Sequence, residues 1–158
     1  MTVVEWPNAI SPGLWPFRLA APEQWSAVEP DEGLIAFLGP PVDGFRANLV
    51  LFGRRLPEDL TLGEVAELAL LDGGPHRVVD PGIDQPAAPG GLPVAVRSSG
   101  TVVDGREVRQ IAVVTEAPDH SPAGLRSVYT MLGTCLAGRA DPDESTLTSV
   151  MASFELIR

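Results

Sequence analysis

Short apolar runs separated by Gly- and Pro-rich breakers set the rhythm of this chain. Residues 1–14 carry Pro7, Pro12 and Gly13 and read as an irregular N-terminal arm. Trp15 to Leu19 reads as a short strand, and Ala21-Pro22-Glu23-Gln24-Trp25 as a turn ending in an aromatic ring. Leu34 to Leu38 is a compact apolar run of strand length, closed by Gly39-Pro40-Pro41. Ala47 to Gly53 is a second such run. A short strand is expected from His76 to Asp80, then a Pro/Gly-rich loop over 81–91. Leu92 to Val103 and Arg106 to Thr115 flank Asp104-Gly105. That pair supplies the positive φ angles of a type I′ hairpin turn, which makes it the strongest strand-pairing signal in the chain. Residues 116–124 hold Pro118, Pro122 and Gly124 and read as a loop, and Arg126 to Leu136 as a long apolar strand.

Two segments change period from two to 3.6. Thr61 and Glu64 form a T-x-x-E capping box, and Leu62, Val65, Leu68 and Ala69 then recur on one helical face until Asp72-Gly73-Gly74-Pro75. The second helix is expected to start with Asp141 as N-cap and Pro142 at the first position, where its missing N–H costs nothing. Asp143 and Glu144 complement its dipole. Leu147, Val150, Met151, Phe154 and Ile157 trace its apolar stripe. The expected order is β-β-β-α-β-β-β-β-α. Hairpin-linked strands favour an antiparallel sheet, and two amphipathic helices need a sheet to cover. The fold class is therefore α+β: a mostly antiparallel sheet of six or seven strands with helices packed on it, in a single domain over 1–158.

Composition narrows the partners. The chain has 158 residues, 44% hydrophobic and 20% charged, enough to bury a core without a disulfide or metal staple. Net charge is -10, and every one of the 11 basic residues is Arg. Only Arg54–Arg55 are adjacent, so no clustered cations are present to track phosphates, and neither nucleic acid nor an anionic membrane is an expected partner. No window approaches the roughly 18 uninterrupted apolar residues of a membrane span. No basic start leads into an apolar stretch, so no signal peptide is expected and the location is expected to be cytoplasmic.

The order of elements carries a resemblance. Phe17-Arg18-Leu19-Ala20-Ala21-Pro22-Glu23-Gln24-Trp25 resembles a strand leading into a P-x-x-W corner. Phe45-Arg46-Ala47-Asn48-Leu49-Val50-Leu51 resembles an F-x-x-N-hydrophobic strand, which leads through Leu56-Pro57 to the helix opened by Leu60-Thr61-Leu62. With a closing helix near Ser153-Phe154, residues 15–157 resemble the PsbP-like α/β/α sandwich, especially its bacterial DcrB-like and LpqN-like branches. The resemblance implies a non-enzymatic accessory or partner-binding protein, since that family includes secretion-effector chaperones, a Ran-binding factor and photosystem accessory subunits. LpqN-like proteins are exported lipoproteins; no signal or lipidation cysteine is visible in this sequence, so this chain is expected to depart from them in that respect. The absence of Lys beside abundant Ala, Gly, Pro and Arg matches the bias of a high-GC, actinobacterial genome.

Candidate chemistry is sparse. The one cysteine, Cys135, lies in an apolar strand with no adjoining His or basic residue to lower its pKa, as a buried structural thiol does. The two histidines, His76 and His120, stand apart from each other and from Cys135, without metal-ligand spacing. Asp119-His120-Ser121 puts acid, base and hydroxyl in consecutive positions, but triads are assembled in space, so a polar loop is the plainer reading. The absence of Lys excludes a Walker motif, and there is no G-x-S-x-G. Asp31–Glu32 and Asp143–Glu144 read as solvated pairs. Trp6, Trp15 and Trp25 read first as core residues; if the arm is exposed, they are the first candidates for a docking surface.

No catalytic, cofactor-binding or metal-binding residue is therefore assigned, no cofactor is implied, and the partner-binding residues are not fixed. The expectation is a non-enzymatic partner-binding accessory or adaptor protein, such as a secretion-associated chaperone, with a protein partner and a monomeric or homodimeric state. The alternative is a small-ligand carrier with its site between sheet and helix. A third reading, an enzyme using His120 or His76, ranks below both.

Overall fold

In the computed structural model the described residues are 1–71, 78–85 and 92–157, with backbone alone for 78–85, 140 and 141. The strands are β1 Phe17–Arg18, β2 Ser26–Val28, β3 Ile35–Val42, β4 Phe45–Leu56, β5 Val78–Gln85, β6 Val94–Val103, β7 Arg106–His120, β8 Arg126–Leu136 and β9 Glu155–Leu156. The helices are α1, Leu62–Leu71, and α2, Ala140–Ala152, the latter preceded by a 3-10 turn over Ala137–Arg139. Seven strands form one sheet in the order β2-β3-β4-β8-β7-β6-β5, every neighbour antiparallel, while β1 and β9 pair separately. The expected α+β class and largely antiparallel sheet are thus present.

Period-two alternation sorts the sheet into two faces. On one face Leu49, Leu51, Ile111, Tyr129, Met131 and Cys135 meet Leu147, Val150, Met151 and Phe154 of the α2 segment. On the other, Ala112, Val114 and Val128 meet Ala66 and Leu70 of α1. One helix per face makes the α/β/α sandwich. Each fully buried Leu contributes about 1.5–3 kcal/mol of apolar transfer. Helix α2 comes close over Gly133, where a Cβ would lie 2.9 Å from Met151 Cε and 3.2 Å from Leu147.

Both two-residue hairpins use an Asp-Gly turn. Asp104 and Gly105 have φ of 49° and 76°, as expected. Asp43 and Gly44, at 51° and 74°, close β3 and β4 in the same way. That turn bears the same local signal, and Gly39-Pro40-Pro41 does not end β3 as expected. Beyond Leu38 strand β3 has no β2 neighbour, and a bulge lies between Leu38 and Pro41. Prolines are tolerated at an edge and at a bulge, because no ladder donor is needed there. Pro81 obeys the same rule: β5 is an edge strand with a bulge between Asp80 and Ile83, so residues 81–85 are strand instead of the expected loop. Strand β7 runs on to His120, again through a bulge, where a loop from 116 was expected.

Other boundaries also differ from expectation. Only Phe17–Arg18 of the expected Trp15–Leu19 strand pairs, and its partner is β9, outside the main sheet. The first helix is capped as expected, with Thr61 Oγ1 accepting from the Glu64 N–H at 3.1 Å. Its buried side is Gly63, Ala66 and Leu70, whereas Leu68 is 54% exposed. Small residues let the helix axis approach the sheet, which turns Leu68 outward. At α2 the cap position is Arg139, without a side-chain cap hydrogen bond, because the preceding 3-10 turn carries the helix back past Asp141. The helix also stops before Ile157. Ser153 Oγ accepts from the Ala20 N–H at 2.9 Å and donates to the Val150 carbonyl at 2.5 Å, with the Ala20 carbonyl at 3.2 Å, and Glu155–Leu156 then pairs with β1. The stop at Asp72-Gly73-Gly74-Pro75, His76, and Gly90–Gly91 lie outside the described residues.

Candidate functional site

A groove opens on the sheet face beneath α2. Strands β6, β7 and β8 supply Val94, Val96, Val113 and Met131, α2 and its exit supply Met151 and Phe154, and Leu92 closes one side. The cavity holds about 180 Å3. A second lobe of about 520 Å3 shares Leu92, Ala152 and Phe154 and extends past Trp15, Pro118 and Leu156. Two hydroxyl side chains line the first lobe, and both bond within the fold. Thr115 Oγ1 donates to the Pro93 carbonyl at 2.7 Å, and Thr148 Oγ1 donates to the Glu144 carbonyl at 2.6 Å. The first lobe therefore offers a guest mainly a carbon surface, while the second also carries Ser153 and Glu155. An engineered cavity of about 150 Å3 lined by aliphatic and aromatic groups stays dry and takes apolar guests.

The floor beside it is aromatic. Phe17 stacks on Phe154 with centroids 5.8 Å apart, and Tyr129 meets both rings. Tyr129 donates its hydroxyl to the Trp15 carbonyl, and burial pushes its pKa up to about 12. At the other end of α2, a cleft of about 220 Å3 lies between Trp25, Pro40 and Phe45 and the helix start at Pro142 and Asp143.

Among the described residues, His120, Ser121 and Cys135 are each engaged or buried where they stand. His120 ends β7, with its Nδ1 2.5 Å from Glu58 Oε1. Ser121 Oγ accepts from the Leu125 N–H inside the next turn, so it is committed to that turn. Cys135 is fully buried, and burial together with the Asp143 and Glu144 charges pushes its thiol up to about 11. Asp143 and Glu144 are half-buried instead of solvated, each beside an Arg: Asp143 at 3.3 Å from Arg139 and Glu144 at 3.6 Å from Arg109. Asp31 and Glu32 are exposed, as expected. Among the described residues no three His, Cys, Asp or Glu side chains gather as a metal-binding group, and no helix is long and apolar enough to cross a membrane. The three tryptophans divide: Trp15 and Trp25 pack on the core, and Trp6 is 68% exposed.

The groove itself was not legible from residue types. Its walls come from three strands and a helix, and no spacing in the sequence marks their convergence.

No family model matches the sequence, and no curated protein matches it. Among solved structures, LpqN of Mycobacterium tuberculosis, described as involved in cell envelope biogenesis, superposes with a TM-score of 0.72 at 14% identity, over 94% of this chain and 87% of LpqN. The cyanobacterial PsbP of Synechocystis sp. PCC 6803 superposes with a TM-score of 0.57 at 14% identity, over 96% of this chain and 99% of that one. The chain has the PsbP-like fold. Part of a Bacteroides thetaiotaomicron protein superposes as well, with a TM-score of 0.56 at 18% identity over 94% of this chain and 47% of that one. Within the PsbP-like fold, the groove lies between the shared sheet and the C-terminal helix.

Proposed function

We propose that this chain is a non-enzymatic accessory protein that acts by binding, and that it receives an apolar group in the groove beneath α2. One observation carries the reading: the groove is walled mostly by carbon, and the hydroxyl protons of Thr115 and Thr148 are donated to backbone carbonyls within the fold. Such a lining offers a polar reactant no free side-chain donor to orient it, while an apolar guest gains burial. Support for a non-catalytic role comes from the local engagement of each candidate: Cys135 is buried, His120 lies against Glu58, and Ser121 accepts from the Leu125 N–H.

The test uses Nile red and the Val96→Phe variant, which places a ring in the groove. The expected result is a fluorescence gain with the wild-type protein and none with the variant. An equal gain with both would remove the groove from the reading. A second reading, a protein partner, is favoured by a different observation, the exposure of Trp6. The description of LpqN as involved in cell envelope biogenesis is compatible with an accessory role of either kind.

A further inference from the structure

Exposed apolar surface concentrates at the N-terminal arm: Val3, Val4, Trp6 and Ile10 are 68–82% exposed. The loop that presents Trp6 and Ile10 is tied down. Asn8 Oδ1 accepts from the N–H groups of Ile10 at 2.9 Å and Ser11 at 2.8 Å. Ser11 Oγ accepts from Trp6 Nε1 at 3.0 Å and from Arg55 Nη1 of β4 at 3.1 Å. Gly13, at φ +74°, leaves room for the indole; a Cβ there would lie 2.9 Å from Trp6 Cζ2. The Gly13 carbonyl in turn accepts from Ser127 Oγ of β8 at 3.3 Å. Trp6 is thus an ordered ring standing in water. Ordered aromatic side chains are the commonest energetic anchors of protein interfaces, because little conformational entropy is lost when they are covered.

The surroundings are predominantly acidic. Register puts the ends of β2, β4 and β7 and the start of β3 at the end of the sheet where the arm is anchored. The exposed carboxylates there are Glu29, Asp31, Glu32, Glu58, Asp59 and Asp119, with Glu5 on the arm itself. Glu58 is engaged with His120. Of the cations at that end, Arg126 is buried against Glu116 and Arg55 is bound to Ser11, which leaves Arg54 exposed.

We propose that Trp6 and Ile10 form a docking surface for a basic amphipathic segment of a partner protein, an apolar anchor flanked by Lys or Arg. This rests on the partner-binding reading and not on the groove. Phosphate-bearing partners, whether nucleic acid or anionic membrane, meet repulsion at this end. A second copy meets its own carboxylates, with a net charge of -10 on each chain. A basic peptide gains both the apolar contact and the charge complementarity.

The experiment uses a synthetic amphipathic peptide of about twelve Leu and Arg residues, with a Glu-for-Arg control and a Ser-for-Leu control. Binding is measured by isothermal titration calorimetry for every variant, and in the wild-type protein the shift of the Trp6 indole N–H resonance, assigned with Trp6→Phe, shows that the ring is covered. The expected result is binding of the Leu/Arg peptide alone, weakened at least about tenfold in Trp6→Ala and in Ile10→Ser, and weakened further by salt. Unchanged folding of both variants by circular dichroism is the control. Equal binding by Trp6→Ala, equal binding of the Glu-for-Arg peptide, or Trp6-dependent dimerisation would each overturn the proposal. If the Leu/Arg peptide binds instead to the groove, so that Val96→Phe abolishes binding and Trp6→Ala does not, this surface falls while the groove stands.

Discussion

Tyr129 of β8 donates its hydroxyl to the backbone carbonyl of Trp15 at 2.8 Å, tying the segment between the arm and β1 to the centre of the sheet. The bond lies beside the Phe17–Phe154 stack, so one side chain connects the entry of the chain, the main sheet and the exit of α2. Tyr129→Phe keeps the ring and removes the bond. It is expected to cost about 1 kcal/mol, a typical net value for one hydrogen bond, measured by urea unfolding.

Alkaline pH should weaken the fold in two stages. Cys135 is raised from 9.0 to about 11, and Tyr129 from 10.0 to about 12. Both groups therefore hold their protons in the folded state where the unfolded chain releases them. Their contribution is complete below pH 9, fades between 9 and 11 for Cys135, and fades between 10 and 12 for Tyr129. Unfolding free energy measured across this range should fall with pH. Cys135→Ala should flatten the earlier part and Tyr129→Phe the later; a flat wild-type profile would contradict both assignments.

Arg126 and Glu116 pair at 3.0 Å with side-chain exposures of 8% and 19%. Arg126 Nε and Nη2 have no hydrogen-bond partner of their own, so Glu116 is the main compensation for the buried charge. Glu116→Ala should cost about 3 kcal/mol, because it leaves that charge alone in a low dielectric. The double replacement Glu116→Leu with Arg126→Met should recover most of the loss. A double variant no more stable than the single one would mean that the pair is worth more than its desolvation cost.

The orientation of α1 is open to a direct check. Leu68 faces solvent and Ala66 is fully buried against the sheet. Leu68→Gln should stay within about 0.5 kcal/mol of wild type, and Ala66→Leu should destabilise by about 1–3 kcal/mol through overpacking. The reverse order of effects would place the other face inward.

Two glycines, Gly105 in a hairpin turn and Gly39 within β3, separate strain from crowding. Gly105 has φ +76° and nothing within 4 Å of an added Cβ. Gly105→Ala should therefore cost about 1 kcal/mol from the left-handed backbone alone. Thermal unfolding should show a larger loss for Gly39→Ala, where the new Cβ meets the Trp25 ring at 3.1 Å and the Ala47 carbonyl at 3.2 Å.

Local chemistry settled much of the scaffold. The Thr61 cap, the Asp104-Gly105 turn, strand β8 from Arg126 to Leu136 and the stripe Leu147–Val150–Met151–Phe154 could each be read from neighbouring residues, because caps, turns and periodicity act within a few positions. Tertiary structure decided what depends on distant partners. Pro40, Pro41 and Pro81 sit in strands because the sheet leaves those stretches at edges or bulges. Helix α2 ends at Ser153 because Ala20 is there to bond it. The inward face of α1 follows the close approach of Gly63 and Ala66 rather than the larger Leu68. Three tryptophans alike in sequence part company for the same reason: Trp15 and Trp25 find core beneath them, and Trp6 is held over Gly13 with water above it. The groove is decided in the same way, since its carbon walls are brought together only when α2 lies down across β6, β7 and β8.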